Sequence, residues 1–102
     1  PFDGQSIGAV SEGGAADIDA AVEAACAAFG GEWSALSATQ RGRLIFKLAD
    51  LLEARVEEFA ALETLDNGKP FGETLNADIP LSVECLRYYA GWADKVHGKT
   101  IP

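Results

Sequence analysis

The sequence of 102 residues contains no methionine, a single histidine and only two cysteines. The histidine, His97, stands in no HExxH or paired Cys/His spacing, which removes the usual sequence patterns of a zinc site. Small secreted scaffolds held by disulfides are far richer in cysteine, so a disulfide framework is excluded as well. Cys26 and Cys85 lie within helical apolar patterns, and we expect both to be free, buried thiols of a protein in the reducing cytoplasm.

Basic residues are also scarce, since eight lysines and arginines stand against sixteen aspartates and glutamates and give a net charge of −8. This balance argues against a nucleic-acid backbone or an anionic membrane surface as a partner. No run approaches the roughly 20 apolar residues of a membrane span, and the start lacks the basic and apolar regions of a signal peptide. Because the chain has no initiating methionine, we expect that its ends are cut rather than native.

What the sequence does contain is helical periodicity, in a length that allows one domain at most. An alanine-rich first helix is predicted over residues 15–29, with Asp17 as its N-cap and Gly30-Gly31 as its stop. Upstream, residues 6–11 alternate weakly and predict one short strand. A single strand is not stable without a partner strand, and the chain offers no obvious second one.

A second helical region is predicted over residues 38–65, where apolar residues recur every three or four positions. Ser37 and Gln40 form a capping-box pattern at its start. One straight helix of this length would reach about 40 Å, against a diameter of about 26 Å for a compact chain of this size. We therefore predict a bend or break near residues 54–56. Gly68 suits the left-handed position just past the end of the region.

The last helix is predicted over residues 78–96, after a short helical or turn-like piece at residues 71–77. At about 100° per residue it carries two apolar stripes on roughly opposite sides. One comprises Ile79, Val83, Leu86, Ala90 and Ala93, and the other comprises Leu81, Cys85, Tyr88 and Trp92. An ordinary surface helix has one such stripe. We expect this helix to be covered on most sides or to face a cavity, and the chain to be a piece of something larger.

Candidate chemical groups are few. His97 is expected to interact with the C-terminal end of the last helix. Cys85 has no basic neighbour or helix N-terminus to activate it, so it is not predicted as a nucleophile. Asp66 with Glu63 could bind a cation beside backbone carbonyls, the alternative being ordinary polarity at a helix end. The sequence contains neither a G-x-G-x-x-G phosphate-binding pattern nor a G-x-S-x-G elbow, so it predicts no catalytic and no coenzyme-binding residue.

Several runs resemble the N-terminal part of NAD(P)-dependent aldehyde dehydrogenases, in the class that includes the retinal and mitochondrial enzymes. The most specific runs are LETLDNGKP at residues 62–70, LRYYAGWADK at residues 86–95 and HGKTIP at residues 97–102. The start of the chain and its first two predicted helices are also similar to the family, so the likeness covers essentially all 102 residues.

The resemblance implies a mostly α-helical segment, with about four helices and a short N-terminal strand, of an α/β aldehyde dehydrogenase fold. Residues 1–102 would then be one incomplete segment, the helical layer that packs on the coenzyme-binding domain. Family members also have a catalytic domain and an oligomerisation arm, and their catalytic and coenzyme-binding residues lie downstream of this segment. The complete enzyme would be a homodimer or homotetramer in the cytoplasm.

By the same resemblance, the complete enzyme oxidises aldehydes to carboxylic acids with NAD or NADP. Leu81 matches a position that lines the aldehyde entry tunnel, Ala77 lies one turn before it, and Asp66 matches a carboxylate of a monovalent-cation site. The isolated chain is expected to be inactive and to bind no coenzyme, its partners being the remaining polypeptide and the aldehyde. The alternative is a non-enzymatic helical interaction module derived from the family, which binds a partner through its uncovered apolar faces.

Overall fold

A computed structural model describes residues 3–98, in which four helices of 12 to 16 residues dominate. The elements in chain order are α1 (Ala15–Gly30), α2 (Glu32–Ala35), α3 (Ala38–Glu53), α4 (Val56–Asn67), α5 (Phe71–Glu73), a π-helical turn (Thr74–Asp78) and α6 (Ile79–Trp92). The predicted fold class, mostly helical with about four main helices, is confirmed. The described residues divide into two compact units, one of residues 8–37 and one of residues 3–7 with 38–98.

The smaller unit consists of α1, α2 and their flanking turns. Asp17 was predicted as the N-cap of α1, but Gly14 occupies that position and Asp17 lies three residues later. The Asp17 carboxylate accepts a hydrogen bond of 2.8 Å from the Gly14 backbone N–H, so it stabilises the start of the helix from inside its first turn. No residue of α1 is buried, and Ile18 and Phe29 of its predicted apolar stripe are 62% and 82% exposed.

The second helical region is broken where the sequence predicted a break. The last bond of α3 runs from the Ala54 N–H to the Asp50 carbonyl, at 3.0 Å. Arg55 then leaves the helical conformation, with φ −124° and ψ 26°. Its guanidinium binds Glu58 at 2.7 Å and lies over the Phe59 ring, 5.6 Å from the centroid. These contacts hold the Arg55 side chain against the first turn of α4.

The C-terminal end of α4 also follows the prediction. Gly68 adopts φ +80°, the left-handed conformation that glycine enters without a steric penalty, and its N–H bonds to the Thr64 carbonyl at 2.9 Å. The end of α6 does not follow the prediction, because the helix ends at Trp92 instead of residue 96. There the backbone N–H groups of Ala93 and Lys95 bond three residues back, which tightens and closes the last turn.

The short strand predicted over residues 6–11 is absent, since residues 4–14 form neither helix nor strand. The described residues contain no other strand, and an isolated extended segment has no ladder of hydrogen bonds to stabilise it. The sequence of residues 98–102, which leaves the last predicted helix, also looks like the start of a strand. Gly98 has no regular secondary structure, and residues 99–102 lie outside the part of the chain that the structure describes.

The core of the larger unit has two parts. In one, α6 packs against α3, and in the other, the π turn packs against α4. Its buried residues are small or β-branched: Gly42, Ala49, Ala60, Thr74, Ile79, Val83 and Ala90. α3 and α6 approach each other closely at Gly42, where an added Cβ would lie 2.7 Å from the carbonyl oxygen of Ala90. Glycine is therefore required there by packing against a neighbouring backbone, because any side chain would push the two helices apart.

Arg87 joins the same two helices at their surface. Its guanidinium donates to Glu53 and Asp50 of α3, with 2.9 Å between Arg87 Nη2 and Asp50 Oδ1. Hydrogen bonding to Arg87 lowers the pKa of Glu53 below its ordinary 4.5, and the two carboxylates raise the pKa of the guanidinium. Arg87 therefore adds a surface contact between α6 and α3 to the packing at Gly42.

Candidate functional site

The two apolar stripes of α6 have opposite environments, although the sequence predicted a helix that is covered on most sides or faces a cavity. The stripe facing α3 contains the buried residues Ile79, Val83 and Ala90. The opposite stripe, which we call the outer face, contains Leu81, Cys85, Tyr88 and Trp92, and all four are exposed. Leu81 is 65% exposed and Tyr88 60%, so the described chain does not cover this face. It is an apolar surface of the kind that marks an interaction site or a ligand cavity.

Aromatic contacts organise the C-terminal half of the outer face. The rings of Tyr88 and Tyr89 meet edge to face, with 5.2 Å between centroids and an interplanar angle of 89°. Tyr88 also lies 6.2 Å from Trp92 in a tilted arrangement. Both distances lie in the range of favourable aromatic pairs. The three rings therefore form one aromatic cluster in the C-terminal half of α6.

The two residues that the resemblance assigned to the substrate tunnel are placed at the start of the outer face. Ala77 belongs to the π turn and Leu81 to the first turn of α6, and both are exposed. Residues four apart are neighbours on a helical surface. The sequence pattern predicts neither the π turn nor the burial of Thr74, which is the turn's only fully buried side chain. The burial of a single threonine leaves no signal in the sequence, because a threonine at that position of a helical pattern reads as an ordinary polar residue.

An ion pair connects the π turn to the loop that follows α4. Lys69 Nζ lies 2.5 Å from Asp78 Oδ2, and this hydrogen bond raises the pKa of the Lys69 ammonium. The Lys69 backbone N–H donates to Asn67 Oδ1 at 2.8 Å, which shapes the loop. Asp78, which directly follows Ala77, is therefore held to the loop after α4 by Lys69.

The suggested cation residues, Asp66 and Glu63, both lie near the end of α4. Asp66 is exposed, while Glu63 Oε1 accepts a hydrogen bond of 2.6 Å from Asn67 Nδ2. Residues 3–98 contain no group of three or more His, Cys, Asp or Glu side chains that could hold a metal ion. The assignment of Asp66 to a monovalent-cation site stays a prediction from resemblance.

Three residues that the sequence analysis discussed have environments different from those expected. Cys26 and Cys85 are both free, as predicted, but exposed instead of buried, because their apolar faces are not covered. His97 does not meet the end of the last helix, since α6 ends five residues before it. Lys95 takes that role, because its ammonium donates to the Gly91 carbonyl at 2.5 Å and to Asp94 Oδ1 at 2.8 Å.

Comparison with known proteins agrees with the sequence runs described above. A profile of the Aldehyde dehydrogenase family matches residues 1–102, the whole chain. The chain belongs to the aldehyde dehydrogenase family. It is 54% identical to the human protein named aldehyde dehydrogenase, mitochondrial, over 104 residues that span all of this chain and 20% of that one. The resemblance inferred from the sequence is therefore confirmed.

Solved structures of the family support the fold. The aldehyde dehydrogenase from Bacillus cereus, solved as an NAD+ complex, is 55% identical with a TM-score of 0.81 over 85% of this chain and 18% of that one. The γ-glutamyl-γ-aminobutyraldehyde dehydrogenase from Burkholderia cenocepacia is 39% identical, with a TM-score of 0.90 over all of this chain and 21% of that one. The helical arrangement is therefore that of a part of the aldehyde dehydrogenase fold.

This chain spans about a fifth of the length of the family relatives that it matches. No helix within residues 3–98 is both long enough and apolar enough to cross a membrane. The assignment of Leu81 and Ala77 to a substrate tunnel stays a prediction from resemblance.

Proposed function

We propose that this chain is part of an oxidoreductase that converts aldehydes to carboxylic acids with NAD or NADP, in the cytoplasm, as a homodimer or homotetramer. Within that enzyme it is one segment of the helical layer on the coenzyme-binding domain. Leu81 and Ala77 form part of the wall along which the aldehyde enters. The coenzyme accepts the hydride, and the nucleophile and general base come from the remaining polypeptide.

The observation that carries this proposal is the exposure of the outer face in a helix whose other face is packed. A tunnel wall is apolar without being filled by protein, which agrees with 65% exposure of Leu81 beside a Val83 that is 2% exposed. Such a wall excludes water and selects substrates by shape. The chain contributes shape and support, while the reactive groups lie elsewhere in the enzyme.

The first test separates the isolated chain from the complete enzyme. In isothermal titration the purified chain should bind no NAD+, and it should oxidise no aldehyde. The same chain, replacing the 104 matched residues of the human mitochondrial enzyme, should give an active chimera with measurable kcat and KM. Stoichiometric NAD+ binding by the chain alone would contradict the assignment of the coenzyme site to the rest of the enzyme.

The second test examines the tunnel wall in the chimera. Leu81→Trp should narrow the entrance, so kcat/KM for a bulky aromatic aldehyde should fall by about tenfold or more relative to acetaldehyde. Glu57→Trp, which adds the same indole to the polar surface at the start of α4, is the matched control and should leave the ratio unchanged. Equal ratios for Leu81→Trp and the parent chimera would contradict the tunnel assignment.

The exposed outer face also favours a second candidate, a helical interaction module derived from the family. Such a module would bind a partner through Tyr88, Trp92 and their neighbours without taking part in oxidation. Light scattering with thermal unfolding separates the two candidates. A stable monomer with a cooperative transition, together with an active chimera, argues against the module.

A further inference from the structure

The spacing of buried residues changes at the π turn. Thr74 is fully buried and the next buried residue is Ile79, five positions later. In an α-helix five residues rotate by about 500°, so these two side chains would point about 140° apart. Here the Ile79 N–H bonds to the Thr74 carbonyl, five residues back, and the wider turn brings both side chains to the same side. The burial of Thr74 therefore depends on the π turn.

Hydrogen bonds of the Thr74 hydroxyl hold this turn against α4. Oγ1 donates to the carbonyl of Phe71 at 2.9 Å and to that of Ala60 at 3.2 Å, sharing its single proton between them. It also lies 3.1 Å from the hydroxyl of Thr64, which can donate to it. Ala60 itself is fully buried. The bonds to Ala60 and Thr64 tie the first residue of the π turn to the middle of α4.

The π turn coincides with the proposed tunnel wall, since Ala77 is its fourth residue and Leu81 follows in the next turn. Single π turns inside α-helices are rare and occur often at functional sites. We propose that Thr74 is a positioning residue whose hydroxyl keeps the turn wide, and thereby fixes Ala77 relative to Leu81 and sets the size of aldehyde that enters. This inference rests on the proposed function and extends it to a residue that does not touch substrate.

The other contacts of the larger unit determine which residues move when the Thr74 hydroxyl is removed. α6 is held to α3 by the close contact of Gly42 with Ala90 and by Arg87. When the hydroxyl is removed and the turn closes toward α-helical geometry, α6 keeps its place. The adjustment falls on residues 71–77, because the ion pair with Lys69 holds Asp78 in place. This segment turns about the helix axis by up to one residue step, roughly 100°. Ala77 lies in that segment and shifts against Leu81.

The experiment uses the chimera with the human mitochondrial enzyme and compares kcat/KM for a bulky aromatic aldehyde with that for acetaldehyde. Thr74→Val keeps the side-chain shape and removes the hydroxyl, and it should change this ratio by about tenfold. Thr74→Ser retains the hydroxyl and should restore the parent ratio. Thr39→Val is the matched control and should have no effect on the ratio, because it removes a hydroxyl that bonds to Asp94, beyond the opposite end of α6 from the π turn.

If Thr74→Val does not fold, a second variant tests the same inference. Thr64→Val removes only one partner of the anchor, and it should change the ratio in the same direction by a smaller factor. A variant at either position that lowers the melting temperature while leaving the ratio at the parent value overturns the inference, because Thr74 would then only stabilise the fold.

Leu81→Trp distinguishes this failure from that of the proposed function. If Leu81→Trp changes the ratio and the threonine variants do not, the tunnel wall stands and the role of Thr74 is refuted. If none of these variants changes the ratio, the tunnel assignment fails and the inference fails with it.

Discussion

The contact between α3 and α6 predicts opposite outcomes for one substitution at two glycines. Gly42→Ala adds a methyl group 2.7 Å from the Ala90 carbonyl oxygen and 3.3 Å from the Ala93 Cβ. Non-bonded carbon and oxygen atoms approach to about 3.3 Å, so the helices must separate by about 0.6 Å. Gly91→Ala, on the neighbouring helix, meets no heavy atom within 4 Å.

Helix propensity favours alanine over glycine by up to about 1 kcal/mol at both sites. Overpacking of a tight contact costs about 1–3 kcal/mol, and it applies to Gly42 alone. The difference in unfolding free energy between the two variants therefore measures the cost of the clash at Gly42, which we expect to be about 1–3 kcal/mol. For a chain of about 100 residues this separates the melting temperatures by about 4 °C or more.

The assay is urea and thermal unfolding of the parent and both variants, followed by circular dichroism at 222 nm. Gly91→Ala should unfold at or above the parent midpoint, and Gly42→Ala clearly below Gly91→Ala. If Gly42→Ala stabilises the chain as much as Gly91→Ala, the helices are not in contact at this position. The packing of α6 described above, and the orientation of the outer face that follows from it, would then be wrong.

Three further predictions follow from single contacts. Because Arg87 lowers the pKa of Glu53, that carboxylate contributes stability above its ordinary pKa and loses it as the pH falls through the lowered value. Arg87→Gln should therefore reduce stability at neutral pH, and the loss of stability below about pH 4.5 should be smaller than in the parent. The measurement is the urea midpoint as a function of pH, and identical pH profiles for parent and variant would refute this. Gly68→Ala should cost about 1–2 kcal/mol in thermal unfolding because alanine is strained at φ +80°, and a variant as stable as the parent would contradict the left-handed cap. Cys26 and Cys85 should both react with Ellman's reagent as fast in the folded chain as in urea, whereas slow phases would indicate covered thiols.

The sequence predicted those features that depend on a short stretch of chain. The break after α3 came from helix length, the end of α4 from Gly68, and the two faces of α6 from periodicity alone. Each requires only local geometry and the separation of apolar from polar residues. The same local reasoning placed the start of α3 directly after Ser37, where the structure has it.

The features that were missed depend on contacts distant in sequence. At the π turn Thr74 bonds to Ala60, fourteen residues away, and no local pattern specifies which threonine will find such a partner. No local pattern distinguishes Gly42 from an ordinary helix-weakening glycine, because its contact with Ala90 comes from another helix. Burial of Cys26 was inferred from apolar neighbours, but such neighbours indicate burial only where another element covers them.

The two faces of α6 have different roles in this segment. The packed face carries the contacts that hold the helix in place, through Val83, Ala90 and the approach of Gly42. The outer face carries large apolar side chains that add nothing to the core of the larger unit while they stay exposed. Under the proposed function, Leu81 lines the route of the aldehyde instead of contributing to this core. Substitutions on the packed face should therefore act on unfolding and those on the outer face on substrate selection. Thr74 is the one buried residue proposed to act on both, because it fixes the turn from which the outer face begins.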